Sequence, residues 1–402
     1  MRESLPAQSL DLNGTPDRGV QWRQRLVHLL ARCAFLVVLF ACPAALTAQW
    51  GPDVKLSTGE TNATTNENMG QCLAVNGNAL HVVWCDHTKT DSAIYYKHSN
   101  DGGVTWDADT RLSANPGTAD FASIAVSGSM VHVAFRDKRT GQNGTYYKRS
   151  QDGGKTWDPD FFLGDTKFWP SIAATESMVY IGLNNDIGQN TEVYCVRSVN
   201  NGTSWETMQR ISNAPGRSED QAIAAAGNYV HMAWNDNRTG IMQTFYRRSA
   251  DKGVTWGPET QLTNSTVFAY MPMLYLFDSN VDLVWADRRN HGAKGNFDIY
   301  HLHSTDFGST WGKEERITDV AVNSFYPVIA RDGKNVHMVW MGGGLSYQHS
   351  SDGGATWEPT TNLVSGISNP SGAFIAVSGP ILHLIWADRR DGHSAIYYKR
   401  QE

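Results

Sequence analysis

One octapeptide recurs six times along this chain of 402 residues, and it constrains the fold more than any other feature. Its pattern is Ser-x-Asp-x-Gly-x-Thr-Trp, and successive copies lie 46 to 55 residues apart, counted between their tryptophans. Self-similarity at this period indicates one supersecondary unit repeated in tandem. The copies are SNDGGVTW at 99–106, SQDGGKTW at 150–157, SVNNGTSW at 198–205, SADKGVTW at 249–256, STDFGSTW at 304–311 and SSDGGATW at 350–357.

The chemistry of the octapeptide is that of a tight turn between two strands. A carboxylate can accept hydrogen bonds from the backbone of the loop that follows it, glycine adopts positive φ, and tryptophan covers the loop. Each copy follows an aromatic segment such as Ile94–Lys97 and precedes a short run such as Thr110–Ser113. The octapeptide therefore predicts the turn between the third and fourth strands of the repeated unit.

Two further strands precede these in every unit. One has the form His81–Trp84, and before it comes a strand of small apolar residues such as Ser123–Val126. Four short strands in about fifty residues, the first small enough to crowd at an axis, predict a β-propeller blade. The first three strands occur seven times, whereas the octapeptide with its fourth strand occurs six times.

The missing fourth strand is found near the other end of the chain. Residues 50–57, WGPDVKLS, match residues 256–263, WGPETQLT, almost position for position. We therefore expect the N-terminal strand to complete the last blade, and closure of the ring removes exposed sheet edges. The prediction is an all-β, seven-bladed β-propeller of four-stranded blades that forms a single domain over residues 49–402.

The segment before this domain resembles an export signal. Ala34–Ala48 is an apolar run of fifteen residues with arginines before it, too short to span a bilayer. We expect residues 1–48 to be a signal peptide cleaved after Ala48, which places the protein outside the cell, in the periplasm or at the cell surface. The alternatives are an uncleaved anchor starting at Leu26 and a lipoprotein modified at Cys42.

The composition limits the classes of partner that this chain can bind. A net charge of −6, with 18% charged residues, excludes a disordered chain and a basic nucleic-acid binder. We expect no membrane span after cleavage, no cofactor and a monomer.

Cys72, Cys85 and Cys195 have no metal-ligand spacing and are expected to be small core residues, with a Cys72–Cys85 disulfide as the alternative. Five second-strand histidines come one from each of five blades, so they cannot share one metal and are expected in the core; they are His81, His132, His231, His337 and His383.

The six octapeptides resemble the Asp boxes, or BNR repeats, of the sialidase superfamily, and the resemblance covers residues 50–402. It implies recognition of glycans and hydrolysis of a terminal acidic sugar, with arginines for the substrate carboxylate, a Tyr–Glu nucleophile pair and an Asp acid. The chain differs from sialidases, which usually have six blades, by having seven repeats and no Arg-Ile-Pro motif after Gln49. A non-catalytic binding or scaffold propeller and a polysaccharide lyase acting on uronates remain alternatives.

Residues in the loops and at the starts of the innermost strands are the site candidates. For the implied catalytic roles we assign Tyr326, Glu219 and Asp236; for substrate binding we assign Arg139, Arg238, Arg289, Arg390, Tyr270 and Trp169. The loops that carry them share the face opposite the Asp boxes, because successive antiparallel strands reverse direction, so we expect the arginines to meet at the central mouth. The alternatives are structural: repeated Asp-x-Arg ion pairs, and aromatics that pack at the rim before a proline.

Overall fold

A computed structural model describes residues 49–59, 61–66, 70–114, 117–364 and 370–402. These residues form 29 strands in seven antiparallel sheets and no helix, so the predicted seven-bladed β-propeller is confirmed. The same ranges contain no helix long and apolar enough to cross a bilayer. The expected signal peptide at residues 1–48 lies outside the described residues.

Each blade is a meander that runs from the innermost strand outward. Blade 1 contains β2 (Asn62–Thr64), β3 (Leu73–Asn76), β4 (Ala79–His87), β5 (Ser92–Ser99) and β6 (Thr110–Arg111), and β2 and β3 both pair with β4. Blade 2 contains β7 (Asp120–Ser127), β8 (Met130–Asp137), β9 (Gly144–Ser150) and β10 (Phe161–Asp165). Blade 3 contains β11 (Ser171–Thr175), β12 (Met178–Ile187), β13 (Asn190–Ser198) and β14 (Gln209–Arg210).

The remaining blades follow the same plan. Blade 4 contains β15 (Ser218–Ala226), β16 (Tyr229–Asp236), β17 (Gln243–Ser249) and β18 (Thr260–Gln261). Blade 5 contains β19 (Ala269–Phe277), β20 (Asn280–Asp287), β21 (Asp298–Ser304) and β22 (Glu315–Arg316). Blade 6 contains β23 (Phe325–Asp332), β24 (Asn335–Met341), β25 (Leu345–Ser350) and β26 (Thr361–Val364). Blade 7 contains β27 (Ser371–Ser378), β28 (Ile381–Asp388), β29 (Ala395–Gln401) and β1 (Val54–Lys55).

Blade 7 closes the ring as the sequence predicts. β1 pairs with β29, with Val54 opposite Tyr398, and the Leu56 amide donates to the Ile396 carbonyl over 2.7 Å. The Leu56 side chain is buried, so this strand contributes to the core as well as to the sheet. Small and aliphatic side chains of the inner strands line a narrow central channel of about 210 Å³.

The Asp boxes are turns held by their own carboxylates. In the first copy, Asp101 Oδ1 accepts from the amides of Val104 and Thr105 at 3.0 and 2.9 Å, and Oδ2 accepts from the Thr105 hydroxyl at 2.6 Å. These hydrogen bonds from Thr105 lower the pKa of Asp101 to about 2. Each box carboxylate is therefore occupied within its turn, which supports its interpretation as a folding device.

The second-strand histidines lie in the core, as expected. His81 Nδ1 lies 2.7 Å from the Tyr96 hydroxyl, and the other four histidines make the same contact with Tyr147, Tyr246, Tyr347 and Tyr398. Burial lowers the pKa of His81 to about 3, so the ring is neutral. Cys72, Cys85 and Cys195 are buried free thiols, in agreement with the core interpretation.

Candidate site at the central mouth

In five of the seven blades the innermost strand begins with a β-bulge on the face opposite the Asp boxes. Their register with the second strand shifts at equivalent points, for example between Glu219 and Ala222 in blade 4. At each bulge one residue has positive φ, between 51° and 60°. Non-glycine residues in this region cost about 1–3 kcal/mol each and concentrate at functional sites. We call these five the bulge residues: Phe121, Asp220, Met271, Tyr326 and Gly372.

Side chains at these strand starts contact one another from blade to blade. The rings of Phe121 and Trp169 lie 5.2 Å apart between centroids, and Gln221 Nε2 donates to the Trp169 carbonyl over 2.9 Å. The Tyr270 hydroxyl donates to Asp220, and Tyr326 lies close enough to Tyr270 to affect its pKa. We call Phe121, Trp169, Asp220, Tyr270 and Tyr326 the mouth arc, which runs from blade 2 to blade 6.

Asp220 is the chemically distinctive member of the mouth arc. Its side chain is only 3% exposed and accepts a hydrogen bond from Asn235 Nδ2 at 2.9 Å. Burial, together with the neighbouring Glu219 carboxylate, raises the pKa of Asp220 to about 6, against the opposing effects of Asn235, Tyr270 and Arg217. A carboxyl that is protonated near neutral pH can act as a general acid.

Glu219 supplies a second carboxylate beside the first. It is 6% exposed and forms an ion pair with Arg217, whose side chain is 52% exposed. On the other side of Asp220, burial and the charge of Asp220 raise the pKa of Tyr270, which keeps its phenol protonated. The structure thus places two carboxyl groups with different partners next to a tyrosine, an arrangement suited to acid–base chemistry.

The four arginines assigned to substrate binding do not meet at the axis, which corrects the sequence-based expectation. Each forms an ion pair with the Asp two residues before it and with an acid that precedes the fourth strand of the same blade, and each stacks over a third-strand aromatic ring. The acid pairs are Asp137 and Asp160 for Arg139, Asp236 and Glu259 for Arg238, Asp287 and Glu314 for Arg289, and Asp388 and Asp53 for Arg390. Each guanidinium is therefore held by two carboxylates of its own blade, as the structural alternative expects.

Asp236 also lies outside the mouth arc. It accepts hydrogen bonds from Arg238, from Trp234 Nε1 at 3.0 Å and from the Ser218 hydroxyl at 2.9 Å. Burial alone would raise the pKa of Asp236, but the hydrogen bonds from Arg238 outweigh burial and lower it. A carboxyl stabilised as the anion is a poor proton donor, so the geometry favours Asp220 for the acid role assigned to Asp236.

The assigned aromatic residues and Glu219 are brought together as a group. Trp169, Tyr270 and Tyr326 all belong to the mouth arc, and Glu219 adjoins it through Asp220. The residue without an assigned role in the sequence analysis is Asp220. The sign that could have found it was its position, because among the five bulges in the described residues the one in blade 4 carries an acid, whereas the others carry an aromatic residue, methionine or glycine.

Comparison with known proteins supports the fold. A family model for the BNR repeat-like domain matches residues 36–239, and no curated protein matches the chain. The solved structure of the polysaccharide lyase Uly1 has a TM-score of 0.62 at 10% identity, covering 88% of this chain and 99% of that one. An ulvan lyase has a TM-score of 0.57 at 10% identity, covering 84% and 94%.

A third similar structure, the endosialidase of phage phi92, has a TM-score of 0.51 at 10% identity and covers 88% of this chain and 69% of that one. At such identities these likenesses concern the fold alone. The family model, in contrast, spans half of the chain and coincides with the Asp-box turns and blades described above. The chain is therefore a member of the BNR repeat-like domain family, with a sialidase-like propeller fold.

Proposed function

We propose that the protein binds glycans at the mouth arc and hydrolyses the glycosidic bond of a terminal acidic sugar. The observation that carries this proposal is the buried Asp220 carboxyl, which accepts a hydrogen bond from Tyr270 and adjoins the Glu219 carboxylate. Two carboxyl groups in unlike environments are the common machinery of glycoside hydrolysis. The half-buried rings of Trp169 and Tyr326 would stack on sugar faces.

The residues take complementary roles in the proposed reaction. Asp220 donates its proton to the leaving oxygen as the glycosidic bond breaks, and Asn235 and Tyr270 stabilise the carboxylate that remains. A water molecule adds to the anomeric carbon and gives its proton to Glu219, which Arg217 holds in place. Because Asp220 must be protonated, activity should decline as the pH rises above about 6.

A polysaccharide lyase is the second candidate. It is favoured by the two lyase structures, which match this chain over nearly their whole length. A tyrosine hydrogen-bonded to a carboxylate could also carry the proton that an elimination moves. The two reactions differ in product, because elimination leaves an unsaturated uronate that absorbs in the near ultraviolet and hydrolysis does not.

The test begins with a glycan array probed with the full chain, followed by turnover assays on the glycans that bind. We expect Asp220→Asn to lower turnover at least 100-fold while binding stays within a few-fold of the parent. Asp186→Asn, near the end of β12 on the same face, is the matched control and should keep full activity. Binding without any cleavage would instead identify a non-catalytic propeller, and full activity of Asp220→Asn would exclude the proposed acid.

Stability provides a second readout for the same variant. Since its pKa is raised to about 6 in the folded state, Asp220 binds a proton more tightly there than in the unfolded chain. It therefore reduces stability as the pH rises from about 4 to about 6, by up to about 3 kcal/mol. Asp220→Asn should relieve this cost, so the variant should unfold at a higher temperature than the parent at pH 8 but not at pH 3.

Export completes the proposal, because a glycan-cleaving propeller would meet its polymer outside the cell. It rests on the apolar run Ala34–Ala48 and the arginines before it. N-terminal sequencing of the exported protein should find Gln49 as the first residue. A chain that still contains Ala34 would contradict cleavage after Ala48.

A further inference from the structure

The junction between blades 5 and 6 on the Asp-box face differs from the junctions formed by five of the other blades. In five blades a second-strand histidine contacts a third-strand tyrosine, as His231 contacts Tyr246. In blade 5 the equivalent positions hold Asp282 and His301, whose Oδ1 and Nε2 atoms lie 2.8 Å apart. The tyrosine hydroxyls reach the glycines of the next box, whereas the shorter His301 side chain packs against Trp357 of the next box, with ring centroids 5.7 Å apart.

An arginine enters the same junction from blade 6. Arg331 stands in the strand register where blades 2 and 4 have Val126 and Ala225, which line the central channel. Its guanidinium is bound to both Asp282 oxygens, at 2.6 and 2.7 Å, and its side chain is 2% exposed. It also donates to the Gly353 carbonyl in the box of blade 6 over 3.2 Å.

A cavity of about 630 Å³ lies on the Asp-box face beside these three residues, Asp282, His301 and Arg331. That volume suits one or two sugar rings. His301, His303 and Arg331 lie among its lining residues, and Lys313 and Lys334 lie at its margin, both exposed. Within the described part of the chain neither lysine forms an ion pair.

His303 presents a polar atom to this cavity. Its Nδ1 lies 2.9 Å from Asp282 Oδ1, and the ring lines the cavity. Because Nδ1 donates to this carboxylate, Nε2 is the ring atom left for a ligand, where it can accept from a sugar hydroxyl, and no described residue bonds it. A buried carboxylate that orients a histidine in this way is a common feature of binding and catalytic sites.

The acids around the cavity are less available than the cations. Asp352 is occupied by its own box, where it accepts from the Thr356 amide and hydroxyl and from the Ser350 hydroxyl. Asp282 is neutralised by Arg331, and Glu315 lies 4.0 Å from His301. The remaining acid of the lining is Asp278. Asp352 keeps its negative charge within the box, so the charges of Asp278 and Asp352 offset those of Lys313 and Lys334, and the two ammonium groups are the charged donors left for a ligand.

We propose that this cavity is a second saccharide-binding site, which takes a sulfate or carboxylate group of a glycan through Lys313 and Lys334 and a sugar hydroxyl through His303. It rests on the proposed function only for the class of ligand, because no residue of the mouth arc contributes to it. Ammonium groups at the margin of a concave site are suited to an oxyanion, and a ring nitrogen is suited to accept from a hydroxyl. The site would hold a polymer on the face opposite the one where it is cleaved.

A metal ion is the competing occupant, and the contacts disfavour it. Asp282, His301 and His303 offer three donor atoms within 4.8 Å of one another. However, Arg331 already holds both carboxylate oxygens, and its Nη2 lies 3.2 Å from His303 Nδ1. A divalent cation would have to displace this guanidinium or sit against it, which like-charge repulsion opposes.

Isothermal titration calorimetry with the full chain carrying Asp220→Asn tests the proposal, because this background removes turnover at the mouth arc. The probes are inorganic sulfate, a sulfated galactan tetrasaccharide, tetragalacturonate and a neutral cellotetraose. We expect one of the charged tetrasaccharides to bind and the neutral one not to. The stronger of the two identifies the anionic group as sulfate or carboxylate.

Charge-removing variants locate the binding. Lys313→Gln with Lys334→Gln should weaken binding of the charged tetrasaccharide at least tenfold, and His303→Gln should weaken it as well. Lys138→Gln with Lys155→Gln removes two unpaired lysines from blade 2 and should leave affinity unchanged. Equal affinity in the cavity variant and the parent, or Zn²⁺ binding that His303→Gln abolishes, would overturn the proposal. The activity of Asp220→Asn is judged separately, so failure of one proposal does not decide the other.

Discussion

Deletion of residues 50–57 from the full chain is expected to lower the free energy of unfolding by about 5 kcal/mol. The deleted segment removes the outer strand of blade 7, the buried Leu56 side chain and the amide hydrogen bonds of Gly51 and Leu56 to β29. Burial of a leucine contributes about 2 kcal/mol and each hydrogen bond about 1 kcal/mol. The deletion also leaves Lys97, which donates to the Leu56 carbonyl over 2.6 Å, without that acceptor.

Thermal unfolding followed by circular dichroism measures the effect, and we expect the midpoint to fall by about 10 °C. A synthetic peptide of residues 49–59 should restore part of the loss by adding a strand to the exposed edge of β29, whereas a scrambled peptide should not. Identical midpoints for the deletion variant and the parent would mean that the N-terminal strand does not close the ring.

Replacement of Arg331 by valine is expected to cost about 3 kcal/mol, because it leaves the buried Asp282 carboxylate without its main partner. Asp282 would retain His301 and His303, at 2.8 and 2.9 Å. Burial alone would lower the pKa of His301, but the hydrogen bonds and charges of Asp282 and Glu315 outweigh burial and raise it. Urea denaturation at neutral pH measures the loss.

A triple variant tests whether the ionic cluster can be replaced by the residues found at the same positions in the other blades. Asp282→His, His301→Tyr and Arg331→Val together install the residues found at the standard junctions, where Tyr96 donates to the Gly153 carbonyl of the next box. We expect this triple variant to recover most of the stability lost in Arg331→Val. A triple variant as unstable as the single one would show that blade 5 needs its ionic cluster for reasons other than filling the junction.

The seven blades and their closure could be predicted because each blade of a propeller corresponds to one local sequence repeat. Each Asp box carries its own turn chemistry, and the match between residues 50–57 and 256–263 identifies the strand that crosses from one end of the chain to the other. The histidines could be assigned to the core for the same reason, since a group that recurs in five blades serves the blade structure and not a single site.

The site could be predicted only in part, because side-chain direction depends on partners far along the chain. Arg390 and Asp53 are 337 positions apart yet form an ion pair at 2.6 Å. An acid recurs before the fourth strand, as in Asp53, Asp160 and Glu259, and this recurrence was the available sign that the arginines are neutralised. The raised pKa of Asp220 had no comparable sign, since its main cause is the burial of the carboxyl in the folded ring.

The contact between one blade's third-strand tyrosine and the next blade's box has a consequence for how such rings change size. Tyr147 packs against Trp205 of the following blade at 4.8 Å between ring centroids, and at the closing junction Tyr347 meets Trp50 at 5.6 Å. An inserted repeat like blade 1 or blade 2 would bring a tyrosine for the blade after it and a tryptophan for the blade before it. A duplicated or lost unit of this kind would therefore leave the other junctions chemically complete, so the number of blades can change by whole repeats without a new kind of contact.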